Sequence, residues 1–227
     1  MSDEAIGYDD PAFQPASSRR TDLLARPAVA RSAKRTIDLL GAGILLVLAL
    51  PTMIAIAVVV KLTDGGPIFY RSRMLGRADS TFTMLKFRTM ILGADDWLRQ
   101  HPDLEAEFLL HMKLLDDPRV TRVGKILRRF SLDELPQLIN VLAGDMSLVG
   151  PRPVRPWELS RWGDFGTLRQ SVPPGLTGLW QVSGRSLIAY EQRAAFDRMY
   201  VEQWSVWLDC RILVSTIRAV FTARGAN

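Results

Sequence analysis

Leu39–Val60 reads LLGAGILLVLALPTMIAIAVVV, 22 residues without a charge and with Pro51 near the middle. As a helix rising about 1.5 Å per residue it would reach roughly 33 Å, enough for a hydrocarbon core roughly 30 Å thick. Length and composition place this stretch at a membrane. Basic residues flank both ends: Arg26, Arg31, Lys34 and Arg35 precede it, and Lys61, Arg71, Arg73 and Arg77 follow. A crossing helix would carry one of these clusters to the side of the membrane that positive charge avoids. Pro51 removes a backbone hydrogen bond and collides with the preceding turn, so a helix can break there and return to the side it came from. Residues 31–62 therefore read as a re-entrant helical hairpin broken at Pro51, with a kinked transmembrane helix and a buried soluble helix as the alternatives.

Residues 1–30 carry Ser17-Ser18, three prolines and scattered charge without apolar periodicity, as expected of a poorly ordered tail. The tail opens with acids and the apolar run begins late, which excludes a secretory signal. The whole chain has 227 residues, 48% of them apolar, so it is long enough to bury a core and too apolar to be disordered throughout. A single cysteine, Cys210, excludes an internal disulfide framework and a cysteine zinc cluster, and His101 and His111 alone make a histidine metal site or a Ser/His/Asp triad a poor fit. Lys plus Arg exceed Asp plus Glu by 29 to 24, a net charge of +5, and the excess is local. Lys61–Met90 holds six basic residues against two acids, and Arg119–Arg129 holds five against none. The middle third is built to meet something anionic.

Pro67–Arg71 and Thr81–Met90 read as strands around a turn containing Gly76. Period two puts Phe82, Met84, Lys86, Arg88 and Met90 on one face, so Lys86 and Arg88 point the same way and can hold a phosphate or guard a sheet edge. Residues 94–115 read as helix interrupted at Pro102, with Leu104, Phe108, Met112 and Leu115 as a packing face. Pro173–Arg185 reads as a loop of Pro-Gly and Thr-Gly turns ending in Trp180, Gln181, Gly184 and Arg185. Such a loop can stack and hydrogen-bond a nucleobase or a sugar, or simply pack a tryptophan. Trp204–Phe221 has helical spacing, suited either to a membrane surface or to packing on the domain.

The segment with most chemistry is Arg119–Pro153, RVTRVGKILRRFSLDELPQLINVLAGDMSLVGPRP. Ser131 with Glu134 matches a capping box, and Pro136 suits a first helical turn. A helix cannot use both signals fully, because one started at Ser131 would lose a bond at Pro136. Either way Asp133 and Glu134 sit at or just before a helix N-terminus, where free N–H groups favour negative charge. Alone the pair would be a cap. Arg128, Arg129 and Arg152 lie near it in sequence, and Lys86 and Arg88 can converge from the hairpin. That company suits attack by a carboxylate on a phosphoryl group, with guanidinium groups spreading the developing charge. A divalent ion held by one or two carboxylates and substrate phosphates would fit as well.

In these elements the chain resembles the bacterial sugar transferases, the monotopic polyprenyl-phosphate phosphoglycosyl transferases. The matching motifs run in order: KRTIDLL, GPIFYRSRMLGR, TMLKFRTM, LRRFSLDELPQLINVLAGDMSLVGPRP, PPGLTGLWQVSGR and YVEQWSVWLDCRILVSTI. The resemblance implies transfer of a hexose-1-phosphate from a UDP-sugar to undecaprenyl phosphate with release of UMP. It implies Asp133 as the nucleophile that carries the phosphosugar, Glu134 as its acid/base or orienting partner, and magnesium at Asp133. Lys86, Arg88, Arg128 and Arg152 match the family's phosphate-binding positions, and Gln181, Arg185 and Asp209 are assigned to substrate binding. Larger relatives carry transmembrane helices before this domain, whereas only the tail precedes the apolar run here, so a minimal catalytic form is expected.

The expected fold is mainly α (α+β): a re-entrant membrane hairpin, then a mostly helical catalytic domain over 63–227 with a small β-hairpin and interfacial amphipathic helices. It is expected on the cytoplasmic face of the bacterial inner membrane, in contact with lipids and not with nucleic acid, and its oligomeric state stays open. A scaffold that binds anionic lipid and a nucleic-acid-binding module are the rivals, and the apolar run counts against the second.

Overall fold

A computed structural model describes residues 28–111, 114, 116–162, 165–184 and 190–222. Helix α1 spans Ala28–Asp64. The hairpin follows as β1 (Phe69–Leu75) and β2 (Thr81–Phe87), paired antiparallel from Phe69↔Phe87 to Leu75↔Thr81. Helices α2 (Ala94–Arg99), α3 (Pro102–His111), α4 (Arg122–Arg129) and α5 (Gln137–Ala143) come next. Strands β3 (Ser147–Val149) and β4 (Gly175–Thr177) flank helix α6 (Phe165–Arg169) and pair in parallel. The short α7 (Leu179–Ser183), then α8 (Tyr190–Gln203) and α9 (Val206–Thr222), complete the order. The fold is mostly helical with one small antiparallel hairpin, as expected from the sequence.

Helix α1 lies along the rest of the molecule. Ala42, Met53, Ile56 and Val60 are buried, and Leu46 and Ala49 are half-buried between them, forming one stripe at helical spacing over the whole apolar run. Opposite this stripe Leu40, Ile44, Val47, Leu48, Ile54, Val58 and Leu62 are exposed. Both ends of the run are tied to the domain by charge. Near the start, Lys34 Nζ donates to Asp209 at 2.7 Å and to the Val149 carbonyl at 2.9 Å. Asp38 accepts from Ser147 Oγ at 3.0 Å and from the Leu148 N–H at 2.9 Å. Arg35 donates to the carbonyls of Val141 and Leu142 at 2.7 and 3.0 Å, which caps the last turn of α5. At the far end Asp64 pairs with the Arg88 guanidinium.

Three expectations change. The helix runs through Pro51 without interruption and extends from Ala28 to Asp64 rather than 31–62. Proline removes one N–H, and the packing stripe continues on both sides of it, so the domain holds the two halves as one element. The expected tail lies outside the described residues except for 28–30, which are helical. The strands are shifted, and Met90 makes only an isolated bridge to Val120. Pro173–Arg185 is not a loop: it contains β4 and α7, with Trp180 buried. Turn-forming residues there serve a close approach instead. A Cβ on Gly175 would lie 2.0 Å from the Gly150 backbone nitrogen, so the β3–β4 contact excludes a side chain.

The remaining helices follow their sequence patterns. Pro102 opens α3, with Leu104 and Phe108 half-buried, while Met112 and Leu115 lie outside the described residues. The last helix packs on the domain, as one of its two readings expects, through one face only. Leu208 and Ile212 of α9 are buried in the core, and Trp207, Val214 and Ile217 are exposed.

Asp209 accepts from Lys34, from Tyr200 Oη at 2.8 Å and from Trp204 Nε1 at 3.0 Å, and Asp209 and Tyr200 are buried. Removing the lysine would leave a buried carboxylate short of its cation. Lys34→Ala should therefore destabilise the fold by about 3 kcal/mol, seen as a lower thermal unfolding midpoint in detergent, and Lys34→Arg should retain most of the stability.

Candidate active site

Asp133 and Glu134 occupy a single 3₁₀ turn, Leu132–Glu134, wedged between α4 and α5. Helix α4 ends at Arg129, and Ser131 then adopts φ +56°, a left-handed conformation uncommon for serine that turns the chain towards α5. The Ser131 side chain makes no capping hydrogen bond, so the expected capping box is not formed. Pro136 has φ −61° and stands at the cap of α5, so of the two helix-start signals the proline prevails. Both carboxylates end just ahead of α5, where the sequence put them.

Lys86 leaves the hairpin and its Nζ lies 2.6 Å from Glu134. Asp133 is buried, with 7% of its surface exposed. Burial pushes its carboxyl above the ordinary range; Lys86 opposes that shift, the Glu134 charge adds to it, and Arg128 opposes it again. Arg128 is held by its Nε donating to Thr89 Oγ1 at 2.9 Å. Its own burial lowers its pKa, against the pull of the Asp133 and Asp117 charges. The result is a carboxylate kept largely from water, with one cation from the hairpin and one from α4 beside it.

These residues line a cleft of about 1800 Å³ together with Arg88, Arg152 and Gln181. Arg88 reaches the cleft wall, but its guanidinium is engaged by Asp64 and its Nε donates to the Pro67 carbonyl at 2.7 Å. It thus fastens the end of α1 to the hairpin. Arg152 stands on the turn that follows β3, and the Gly150–Gly175 approach sets that turn beside β4: Gly150 N–H donates to Thr177 at 2.9 Å and Gly175 N–H to Pro151 at 2.8 Å. Asp209 is not among the cleft residues, and its hydrogen bonds join α1, α8 and α9 as described above. Arg185 lies outside the described residues.

Other cleft residues carried no signal in the sequence. Arg193 and Asp197 come from α8, where charged residues alternate with apolar ones and nothing sets these two apart. The guanidinium groups of Arg152 and Arg193 lie 5.7 and 5.0 Å from the Trp180 ring centre. Asp197 is fully buried, and burial pushes its carboxyl up to about 7 against the pull of Arg169. At the opposite side the cleft is apolar, walled by Gly41, Leu45 and Ala49 of α1 and by Leu213 and Ile217 of α9. Charge and grease meet in one cavity.

Among the described residues no group of three or more His, Cys, Asp or Glu is placed to hold a metal ion. The adjacent Asp133 and Glu134 offer carboxylate oxygens beside Lys86 and Arg128. That donor set fits magnesium on the condition that substrate phosphates supply much of its shell.

The sequence model described as bacterial sugar transferase matches residues 29–223. The chain is 46% identical over 198 residues to the exopolysaccharide production protein ExoY of Rhizobium meliloti (strain 1021), covering 86% of this chain and 88% of that protein. It is 44% identical over 200 residues to the undecaprenyl-phosphate galactose phosphotransferase of Salmonella typhimurium, covering 86% of this chain and 42% of that longer protein. Against the UDP-glucose:undecaprenyl-phosphate glucose-1-phosphate transferase of Escherichia coli (strain K12) the identity is 39% over 206 residues, covering 87% and 42%. A match across nearly all the described residues, with the carboxylate pair and its cations inside it, makes this chain a member of the bacterial sugar transferase family.

Proposed function

We propose that the chain transfers a hexose-1-phosphate from a UDP-sugar to undecaprenyl phosphate, releasing UMP, as the first membrane step of exopolysaccharide or glycoconjugate synthesis. The observation that carries this reading is the buried Asp133 between Lys86 and Arg128, in a cleft whose other walls are the apolar faces of α1 and α9. The names of the relatives, one a galactose phosphotransferase and one a glucose-1-phosphate transferase acting on undecaprenyl phosphate, support the same reaction class.

In this mechanism a carboxylate oxygen of Asp133 attacks the sugar-bearing phosphorus. The bond to the bridging oxygen breaks, and UMP leaves with the electron pair. An oxygen of undecaprenyl phosphate then attacks the same phosphorus and displaces the carboxylate, so the residue is regenerated without net proton change. Burial leaves the ionised carboxylate poorly solvated and therefore more nucleophilic, while Lys86 and Arg128 favour its charged form and offset the charge of the diphosphate. Arg152 would hold a phosphate from the far wall. Glu134, paired to Lys86, fixes the ammonium group beside the nucleophile. Magnesium, held by Asp133 and Glu134 with substrate phosphates, would supply further neutralisation of the diphosphate.

The same geometry supports a monotopic placement. Helix α1 is long and apolar enough to cross a membrane, yet both of its ends are tied by charged groups to one folded unit. A crossing would have to carry Lys34 and Asp209, or Asp64 and Arg88, to the opposite side. The exposed apolar faces of α1 and α9 instead suit a chain lying at the surface of the inner membrane from the cytoplasm. There the water-soluble donor and the lipid-held acceptor phosphate reach one site.

Purified protein in detergent, given magnesium, undecaprenyl phosphate and a panel of UDP-sugars, should release UMP from at least one donor. Asp133→Asn should lower that release by about 10³-fold or more. Equal release by the variant would remove Asp133 from the chemistry. For topology, cysteines introduced singly as Val29→Cys and Arg77→Cys in a Cys210→Ser background should both react with an impermeant thiol reagent from the cytoplasmic side alone. Labelling of the two from opposite sides would establish a crossing helix.

A further inference from the structure

One face of helix α4 is fastened to Thr89, a buried residue just after β2. At the head of the helix the Thr121 N–H donates to the Thr89 carbonyl at 3.0 Å, and the Thr121 hydroxyl donates to the same oxygen at 3.3 Å. That hydroxyl oxygen also accepts the Gly124 N–H at 2.9 Å, which caps the helix. A Cβ on Gly124 would lie 2.1 Å from the Thr89 carbonyl oxygen, so the two backbones meet where no side chain fits. Arg128 follows one turn later on the same face, and its Nε donates to Thr89 Oγ1 at 2.9 Å.

Among the described residues the Arg128 side chain makes no other hydrogen bond. Arg128 lines the cleft, and among the charges around it that of Asp133 acts on it most strongly. A guanidinium held through Nε keeps both terminal amino groups, the planar fork that matches a phosphate, for a ligand. Without that hold the long side chain would spread over many rotamers, and few of them would present the fork correctly. Lys86 differs in this respect. Its ammonium is a compact point charge whose donors rotate freely, so its effect depends on distance, whereas that of Arg128 depends on the plane of the group as well.

We infer that Thr89 is a positioning residue for the phosphoryl transfer: its carbonyl sets where α4 stands, and its hydroxyl fixes Arg128 through Nε, so that the terminal amino groups face the oxygens of the phosphate under attack by Asp133. This role rests on the reaction proposed above and adds the residue that orients one of its cations. A diphosphate already held by Lys86, Arg152 and magnesium would lose little affinity if Arg128 turned away. The loss would fall where charge shifts among the phosphoryl oxygens during transfer, and therefore in kcat.

The test is steady-state UMP release by the full chain in detergent, with magnesium, undecaprenyl phosphate and a panel of UDP-sugars, for wild type, Thr89→Val, Arg128→Gln and the double variant. Thr89→Val keeps the shape and removes the acceptor; kcat should fall about tenfold while KM for the UDP-sugar stays within about threefold of wild type. Thr89→Ser keeps the hydroxyl and should hold kcat within about threefold of wild type. In the Arg128→Gln background Thr89→Val should cost less than about twofold, because the group it orients is gone. Should the valine variant fail to fold, Thr89→Ala, which sets no methyl against the guanidinium, decides in its place. A loss of about tenfold in both backgrounds would make Thr89 a packing residue or a direct substrate contact and overturn the inference. Thr89→Val turning over like wild type while Asp133→Asn is inactive would overturn it too and leave the reaction standing. A wild type that releases UMP from none of the donors would refute the reaction and this role with it.

Discussion

A carboxylate removed from water demands either a proton or fixed positive charge, and much of this structure answers that demand at Asp133. Residues far apart in sequence supply the answer. Lys86 comes from the second strand of the hairpin and Arg128 from the last turn of α4, while Glu134 adds a second negative charge that binds Lys86 in place. The two cations weaken the preference for a neutral acid without filling the space in front of it, which stays open to the cleft. In the proposed reaction a carboxylate in that state attacks a phosphorus atom whose surrounding oxygens the same cations attract. Protonation, or full exposure to water, would lose that advantage.

Holding those groups in place depends on α1. Its Arg35 closes the C-terminal end of α5, the helix at whose opposite end the carboxylate pair sits. Its Asp38 and Lys34 fasten β3 and the Asp209 knot, and its Asp64 fixes Arg88 at the base of the hairpin. The element that gives the protein its apolar face is therefore also the brace of the active site. The wall of the cleft nearest α1 is made by the same helix whose other side is apolar and uncovered, so on the proposed reading membrane placement and chemistry are coupled physically.

The sequence made the apolar run, the hairpin and the place of Asp133 and Glu134 ahead of a helix readable, since each is a local pattern of hydrophobicity, turn chemistry or charge, whereas the break read at Pro51 does not occur. Lys86 and Arg128 were readable as cations that converge on the carboxylate pair, because basic residues cluster on both segments. What escaped were partnerships across long separations. Arg88 shares a strand face with Lys86 in the pattern, yet its guanidinium turns to Asp64. Asp209, suggested by a motif, is bound by a lysine 175 residues earlier and serves the fold. The turn-rich stretch around Gly175 read as a loop because glycine and proline mark turns more often than close backbone contact. Arg193 and Asp197 sit in an ordinary charged helix, and only packing against Trp180 and Arg152 gives them a role.

Trapping a covalent species on Asp133 tests its role as the nucleophile most directly. Intact-protein mass spectrometry after incubation with UDP-hexose and magnesium, without undecaprenyl phosphate, should show a gain of one hexose phosphate. Peptide mapping should place it on Asp133, and later addition of undecaprenyl phosphate should remove it. An enzyme that turns over with both substrates while never acquiring that mass at Asp133, under conditions that would preserve it, would contradict the account and require direct attack by the acceptor on the donor.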